Sequence, residues 1–286
     1  MKKQKNNAIY FVLIFLILIF LFASIFLIKQ PEILYKVQNV FLNIQNEYQI
    51  KELDNANLIS YQLENTNWQV DQSLILINNE HPLPESFSPS LAEYKDSTVF
   101  MNKALLADYA TLTEAVTEHT GEKMYVASVY RSLEEQAQLH TNNPDIAQPA
   151  GHSEHHTGLA LDVYVQNFGG INFIDSKAGQ FVDKHCAEFG FIIRYPENKE
   201  EITGISYEPW HIRYVGLPHS MIMAKNYWVL EEYINFLEPN KIYKANDFFI
   251  SRQDPSQPIL LPENIAETRY SYDNTGYIII TAKINN

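Results

Sequence analysis

The feature that most constrains this chain is a run of 21 residues, Ala8 to Ile28, without one charged side chain. As a helix rising ~1.5 Å per residue it would be ~31 Å long, about the thickness of a bilayer's hydrocarbon core. Lys2, Lys3 and Lys5 precede the run and supply all the charge of the first 28 residues. Such a basic flank keeps its own end cytoplasmic and sends the rest of the chain outward. The rival reading, a cleaved signal peptide, has an apolar core of ~7–15 residues and a small-residue cleavage site. Phe22-Ala23-Ser24-Ile25-Phe26 offers no such site, and no cysteine directly after the run can take a lipid. The sequence therefore predicts a cytoplasmic tip over 1–7, a single-pass transmembrane anchor over 8–28 and an exported remainder.

An exported chain whose only cysteine is Cys186 has no internal disulfide to staple it. Its stability must come from packing, with a metal as the other available clamp. Hydrophobic residues at 46% against 19% charged exclude disorder along the whole chain. A net charge of -13 argues against a nucleic-acid binder, which needs a basic face to replace phosphate counterions.

Residues 29–70 mix charges, Asn and Gln with weak apolar spacing, and read as a stalk. Leu74-Ile75-Leu76-Ile77 reads as a strand running into a turn. Leu105, Leu106, Tyr109, Leu112 and Val116 recur at helical spacing, with Gly121 as the stop. Met124 to Tyr130 is strand-like, and Ser132-Leu133-Glu134-Glu135 is a capping box that starts a helix after Arg131. Residues 141–158 form a long loop rich in Asn, Pro, Gly and His, and long ordered loops are often functional. Leu159 to Val165 alternates with period 2 as a half-buried strand. A helix over 176–189 stopped by Gly190, strands over 191–194 and 210–215, and a helix over 221–237 complete a domain at 71–238. Short β-type runs around 248–250, 259–261 and 277–280, with a hairpin turn at Asp273-Asn274-Thr275-Gly276, form a small β appendix over 239–286.

Two polar clusters stand out: Gly151-His152-Ser153-Glu154-His155-His156-Thr157-Gly158, leading into the strand that carries Asp162, and Tyr207-Glu208-Pro209-Trp210-His211. Two His and one Asp make a three-ligand zinc site with an open fourth position. One carboxylate leaves such a site with net positive charge, acidic enough to bring a bound water's pKa toward ~7. Asp162 shares its strand face with Ala160 and Tyr164, opposite Leu159, Leu161 and Val163, and a cation would explain its burial. Gly158 permits the turn that returns the preceding histidines to that face. Pro209 keeps the entry to His211 irregular, so Glu208 can stand beside the metal's water. Spacing alone does not choose among His152, His155 and His156.

The motifs narrow that choice. Ser153-Glu154-His155 to Asp162, Glu208-Pro209-Trp210-His211 continuing as IRYVGLPH through His219, and Tyr130-Arg131-Ser132 to Gln136 resemble the pattern of VanY-type D-alanyl-D-alanine carboxypeptidases. The resemblance covers roughly residues 74–237, and the β appendix is similar to that of glycopeptide-resistance VanY proteins. Two departures are Val129, where the family often has Gly, and His156, where it commonly has Gln or Asn.

The resemblance implies an α+β fold: a small antiparallel sheet packed by helices, with a zinc ion over one sheet face. It implies His155, Asp162 and His211 as ligands to one Zn²⁺, Glu208 as general base, and Arg131 on the oxyanion or the substrate's terminal carboxylate. Ser153 and Gln136 are candidate substrate-binding residues. The implied reaction removes the last D-Ala from peptidoglycan pentapeptide stems ending in D-Ala-D-Ala, at the outer face of a bacterial cell membrane, and so contributes to glycopeptide resistance. The alternatives are an L,D-carboxypeptidase acting on tetrapeptide stems, a dipeptidase, and a non-catalytic wall-binding protein. Against the last, both Glu208 and Arg131 are present, and a pure binder needs neither.

Overall fold

The alternating segment around Asp162 lies in the interior of a four-stranded antiparallel sheet, because its apolar side needs a core and its polar side faces a loop. The computed structural model describes residues 13–22, 48–53, 57–95, 97–144 and 147–285. In chain order the elements are β1 (Lys51–Glu52), β2 (Leu58–Tyr61), β3 (Gln69–Val70), β4 (Leu91–Glu93), β5 (Phe100–Asn102), α1 (Leu106–Thr120), β6 (Tyr125–Ser128) and α2 (Leu133–Asn142). They continue with β7 (Ala160–Tyr164), α3 (Lys177–His185), β8 (Phe191–Tyr195), α4 (Glu200–Thr203), β9 (Glu208–Tyr214), α5 (His219–Asn226) and α6 (Leu230–Phe236). The last strands are β10 (Ile242–Ala245), β11 (Phe248–Gln253), β12 (Ile259–Pro262), β13 (Ile265–Tyr272) and β14 (Ile278–Ile284).

Residues 13–22, within the apolar run, are helical with exposed side chains. Among the described residues no helix is long and apolar enough to cross a membrane. The rest of the expected anchor, the tip at 1–7 and residues 29–47 of the expected stalk lie outside the described residues.

The four-stranded sheet has the order β6-β7-β9-β8, antiparallel throughout. Leu161 and Val163 of β7 point into a core with Ile212 of β9, Phe191 of β8, Tyr109, Leu112 and Val116 of α1 and Val182 of α3. Asp162 points the other way. α1 ends on Gly121 at φ +73°, and α2 starts on the expected capping box: Ser132 N donates to Glu135 Oε2 at 2.8 Å and Ser132 Oγ accepts from Glu135 N at 3.2 Å.

Three segments differ from the sequence reading. Leu74 to Ile77 is not a strand; it is a buried connecting segment between the sheets. Bonds other than a ladder take up much of its backbone: Arg213 Nη2 donates to Ser73 O and Ile75 O, Leu76 N donates to Asp273 O, and Asn274 Nδ2 donates to Leu76 O. The single helix expected over 221–237 is two helices, α5 and α6, parted where Tyr227 takes φ +55°. Residues 51–52, 58–61 and 69–70, inside the span read as a stalk, pair with C-terminal strands: β1 on β10, β2 on β12 and β3 on β13.

The C-terminal strands are tied into the same body. A six-stranded sheet runs β1-β10-β11-β14-β13-β3. Tyr243, Ala245, Ile250 and Ile279 share a core with Leu74, Leu76, Ile192, Val215, Ile222 and Tyr233. Residues 46–286 accordingly form one compact unit. His219 joins the two regions from within, with Nδ1 at 2.7 Å from the Tyr233 hydroxyl and Nε2 at 2.8 Å from Thr281 Oγ1. Burial holds its pKa well below that of a free imidazole, so it stays neutral.

Candidate metal centre and active site

Antiparallel register brings two distant motifs together. Asp162 on β7 is paired directly with His211 on β9, and Ser128 on β6 is paired with Asp162 from the other side. Three strands thus place Ser128, Asp162 and His211 in one row across the sheet.

His155 reaches that row from a 3₁₀ turn, Glu154–Thr157. Gly158 closes the turn at φ +67°, and a Cβ there would lie 2.7 Å from Leu91 Cδ2 and 3.0 Å from Asn102 N. Glycine is required by both conformation and space. The turn is pinned to the end of β6: Arg131 N donates to His155 O, His155 Nδ1 lies 2.6 Å from Val129 O, and His156 Nδ1 lies 2.7 Å from Arg131 O.

Among the described residues, His155, Asp162 and His211 offer ligand atoms that all lie within 4.8 Å of one another. His155 Nε2 is 3.2 Å from Asp162 Oδ2, and His211 Nδ1 is 3.0 Å from Asp162 Oδ1. Donors bound to one zinc ion at ~2.0–2.2 Å approach each other to about such distances. The outward nitrogen of His155 agrees with this arrangement. His155 Nδ1 can donate to Val129 O, which leaves the Nε2 lone pair facing inward. The residues present therefore fit a catalytic zinc site of two imidazoles and one carboxylate. His156 is accounted for elsewhere, because its Nε2 accepts a hydrogen bond from Gly151 N while Nδ1 meets Arg131 O. His152 Nδ1 lies at Asn78 O. The three imidazoles that spacing left open are thus distributed as one candidate ligand and two loop braces.

The charges are strongly coupled. Burial opposes ionisation of Asp162, yet the hydrogen bonds from His155 and His211 hold its carboxyl well below the usual carboxylate range. Burial likewise opposes charge on His211, but Asp162 and the nearby Glu154 and Glu208 carboxylates raise it to about 9 in the metal-free protein. Glu208 is half-buried, with Oε2 3.7 Å from His211 Nδ1. Burial raises its pKa above that of a free glutamate, with the Asp162 charge adding to the rise and His211 opposing it. A basic carboxylate beside a metal position is suited to moving a proton.

Arg131 is held from two sides: Nη1 donates to Gln136 Oε1 and Nη2 to Ser128 Oγ, both at 2.7 Å. Gln136 is buried, and its amide nitrogen donates to Gln148 O at 2.5 Å. Both polar ends of Gln136 are thus committed, one to Arg131 and one to the backbone of Gln148. Ser153 sits at the mouth of the 3₁₀ turn, and its hydroxyl makes no hydrogen bond among the described residues.

Sequence reasoning overlooked a layer behind His211. Glu154, Arg194, Arg213 and Glu231 form a buried ionic cluster. The available signals were slight: a Glu inside the Ser-Glu-His motif, and a single Arg, Arg194, in the otherwise apolar β8.

A small antiparallel sheet carrying a His-Asp-His donor set, with a carboxylate and an arginine converging on it, defines a metallopeptidase centre. The family model described as "VanY: D-alanyl-D-alanine carboxypeptidase" matches residues 98–217. A D-alanyl-D-alanine carboxypeptidase of Enterococcus faecium is 32% identical over 231 residues, covering 73% of this chain and 74% of that protein. The bifunctional D-Ala-D-Ala dipeptidase and D-Ala-D-Ala carboxypeptidase VanXYC of Enterococcus gallinarum is 38% identical over 185 residues, 58% of this chain and 95% of that one. Among solved structures, the D,D-dipeptidase VanXYg in complex with a D-Ala-D-Ala phosphinate analog matches with a TM-score of 0.62 at 26% identity, covering 80% of this chain and all of that one. A mutant of the VanY D,D-pentapeptidase from the VanB-type resistance cassette, in complex with Zn(II), matches at 0.52 and 30%, covering 57% and 99%. The chain belongs to the VanY family of D-alanyl-D-alanine carboxypeptidases and is an enzyme of that class.

Proposed function

We propose that the protein is a zinc D,D-carboxypeptidase that removes the terminal D-alanine from peptidoglycan pentapeptide stems. The observation that carries this reading is the placement of the Glu208 carboxylate 3.7 Å from His211 Nδ1, beside the His155–Asp162–His211 donor set and with Arg131 fixed on the same side of the sheet. Those three residues would hold the zinc, which when bound supplies Lewis acidity toward a carbonyl and acidifies water.

The chain's own groups do the rest. Glu208 takes one proton from the attacking water as its oxygen bonds to the penultimate carbonyl carbon. The same carboxyl returns that proton to the amine of the departing D-alanine as the C–N bond breaks. Arg131, with its fork aligned by Gln136 and Ser128, offers charge-assisted donors to the oxyanion or to the stem's terminal carboxylate. Ser153 Oγ is free to bond the substrate, while Gln136 acts through Arg131.

The uncharged run over 8–28 and its basic flank support an anchored enzyme with its catalytic unit outside the membrane, where wall precursors arrive. Removal of the last D-alanine there takes away the D-Ala-D-Ala terminus that glycopeptides bind, so the enzyme would contribute to resistance. A carbonate wash that strips the full chain from membranes would contradict the anchor.

A second reading has its own support. The LdcB LD-carboxypeptidase structure matches with a TM-score of 0.51 at 30% identity, covering 56% of this chain. Incubation with tetra- and pentapeptide stems, followed by weighing the products, separates the two. Loss of one alanine from the pentapeptide alone supports the D,D reading, and loss from the tetrapeptide alone replaces it.

A further inference from the structure

Peptide hydrolysis does not by itself explain the four ionised side chains packed behind His211. Arg194 Nε donates to Glu154 Oε1 at 2.8 Å, and its Nη1 and Nη2 donate to Glu231 Oε2 and Oε1 at 2.9 and 2.6 Å. Arg213 Nη1 lies 2.7 Å from the same Glu154 Oε1. The Glu154 and both arginine side chains have no exposure at all, and that of Glu231 is 10% exposed. Two positive and two negative charges cancel. Taking each out of water is costly, and apolar side chains of similar volume often serve stability as well or better. A tetrad of this kind calls for a role beyond stability.

Its geometry indicates one. Arg194 holds Glu154 Oε1 by a hydrogen bond and Arg213 pairs with the same oxygen by charge, which fixes the direction of Oε2. Among the described residues Glu154 Oε2 has no hydrogen-bond partner, and neither does His211 Nε2, yet both are buried. The two atoms are 3.8 Å apart, and the other nitrogen of the ring faces Asp162. A ring tilt of about 1 Å at Nε2 brings the pair into hydrogen-bond range.

We propose that Glu154 is a positioning residue for the metal centre: its Oε2 accepts the Nε2 proton of His211, so that the Nδ1 lone pair is turned toward Asp162 and His155, while Arg194, Arg213 and Glu231 lock the carboxylate in place. This inference rests on the reading of His155, Asp162 and His211 as metal ligands. Outer carboxylates on ligand imidazoles orient the ring, fix its tautomer and raise its basicity. The ionic cluster connects the metal ligand to β8, α6 and, through Asn78 Nδ2 on Glu231 Oε1, to the segment after Ile77. Distant packing is thereby coupled to a ligand's orientation.

The test uses the full chain and zinc itself. Glu154→Gln preserves shape and removes the charge. Zinc affinity, measured by competition with a chromophoric chelator, is expected to fall about 10–100-fold with stoichiometry unchanged. In zinc-loaded protein the His211 Hε2 resonance is expected strongly downfield and protected from exchange in the wild type, and in Glu154→Gln it should move upfield and exchange faster. Glu231→Gln removes the same charge one arginine further away and should leave both readouts closer to wild type. Wild-type affinity and an unchanged Hε2 in Glu154→Gln overturn the proposal, as do equal losses in the two variants, which indicate a merely structural cluster. If Glu154→Gln does not fold, the wild type decides, because a rapidly exchanging Hε2 on His211 overturns it. Failure of the wild type to bind one zinc per chain, or zinc retained by His211→Ala, instead overturns the ligand reading beneath it.

Discussion

Asp162 and His211 stand directly opposite each other on antiparallel strands, with Oδ1 and Nδ1 3.0 Å apart. The contact joins residues 49 positions apart in the chain and makes the fold's central register part of the chemistry. A slip of one residue between β7 and β9 would turn every side chain on the slipped strand to the other face. The candidate metal site therefore depends on the same alternation that buries Leu161, Val163 and Ile212.

Removal of the His211 side chain should abolish zinc binding, and pH should modulate binding in the intact protein. In the metal-free state His211 carries a proton up to about pH 9. Zinc must displace a proton, so its affinity should rise between pH 7 and about 9 and level off above. Isothermal titration in two buffers of different ionisation heat would count the proton released. The folded His211 pKa lies above the ~6.5 of an unfolded imidazole. Its stabilising contribution is therefore full below ~6.5 and lost as pH climbs through about 9. Chelator-treated protein should accordingly show a falling melting temperature over that range. Asp162, shifted the opposite way, contributes above the ordinary aspartate range, and that contribution is lost as pH falls into acid.

Glu208→Gln should retain zinc and fold yet lose about 10²–10⁴ in kcat, the usual contribution of a positioned acid–base group. Because burial raises the Glu208 pKa, the acid limb of the kcat/KM profile should lie above that of a free glutamate. Near wild-type turnover in this variant would remove Glu208 from the role of base.

Arg131→Ala should lower kcat/KM by about 10²–10³, as expected for removal of a donor to developing charge. Gln136→Ala should give a smaller loss, because Ser128 still holds Nη2 of Arg131. Steady-state kinetics on a pentapeptide stem would rank the two, and a larger loss in Gln136→Ala would mean that the amide does more than orient Arg131.

Gly158→Ala should destabilise the folded chain by about 1–3 kcal/mol, the cost of holding a non-glycine residue in a sparsely populated region. The Cβ contacts with Leu91 and the Asn102 backbone add to that strain. Thermal melts of wild type and variant would measure it, and an unchanged melting temperature would contradict the role given to this glycine.

Truncation after Glu238 should leave an aggregation-prone product. It would uncover Leu74, Leu76, Ile222 and Tyr233, which share a core with β10, β11 and β14. Size-exclusion chromatography with near-UV circular dichroism would distinguish this outcome from a monomeric, natively packed remainder.

The parts of this fold that local chemistry specifies were legible in the sequence. The capping box at Ser132, the stop at Gly121 and the alternation through Asp162 each rest on residues within one turn or one strand. The sequence also placed Gly158 as the device that returns the histidine loop to the sheet, and the positive φ agrees. What escaped depends on distant partners. Leu74 to Ile77 looks like a strand, but Arg213, Asp273 and Asn274 take its backbone groups. The pairing of residues 51–70 with the C-terminal strands has no signature in either segment alone. The Glu154–Arg194–Arg213–Glu231 cluster left only the faint mark of one arginine in the apolar β8, because its partners come from four separate segments.

The most direct test of the central claim is the mass of a pentapeptide stem after incubation with the purified zinc-loaded chain. The expected product is lighter by one alanine residue, and with Glu208→Gln it should form about 10²–10⁴ times more slowly. An intact stem with the wild type, or the same product at a similar rate from both proteins, would contradict it.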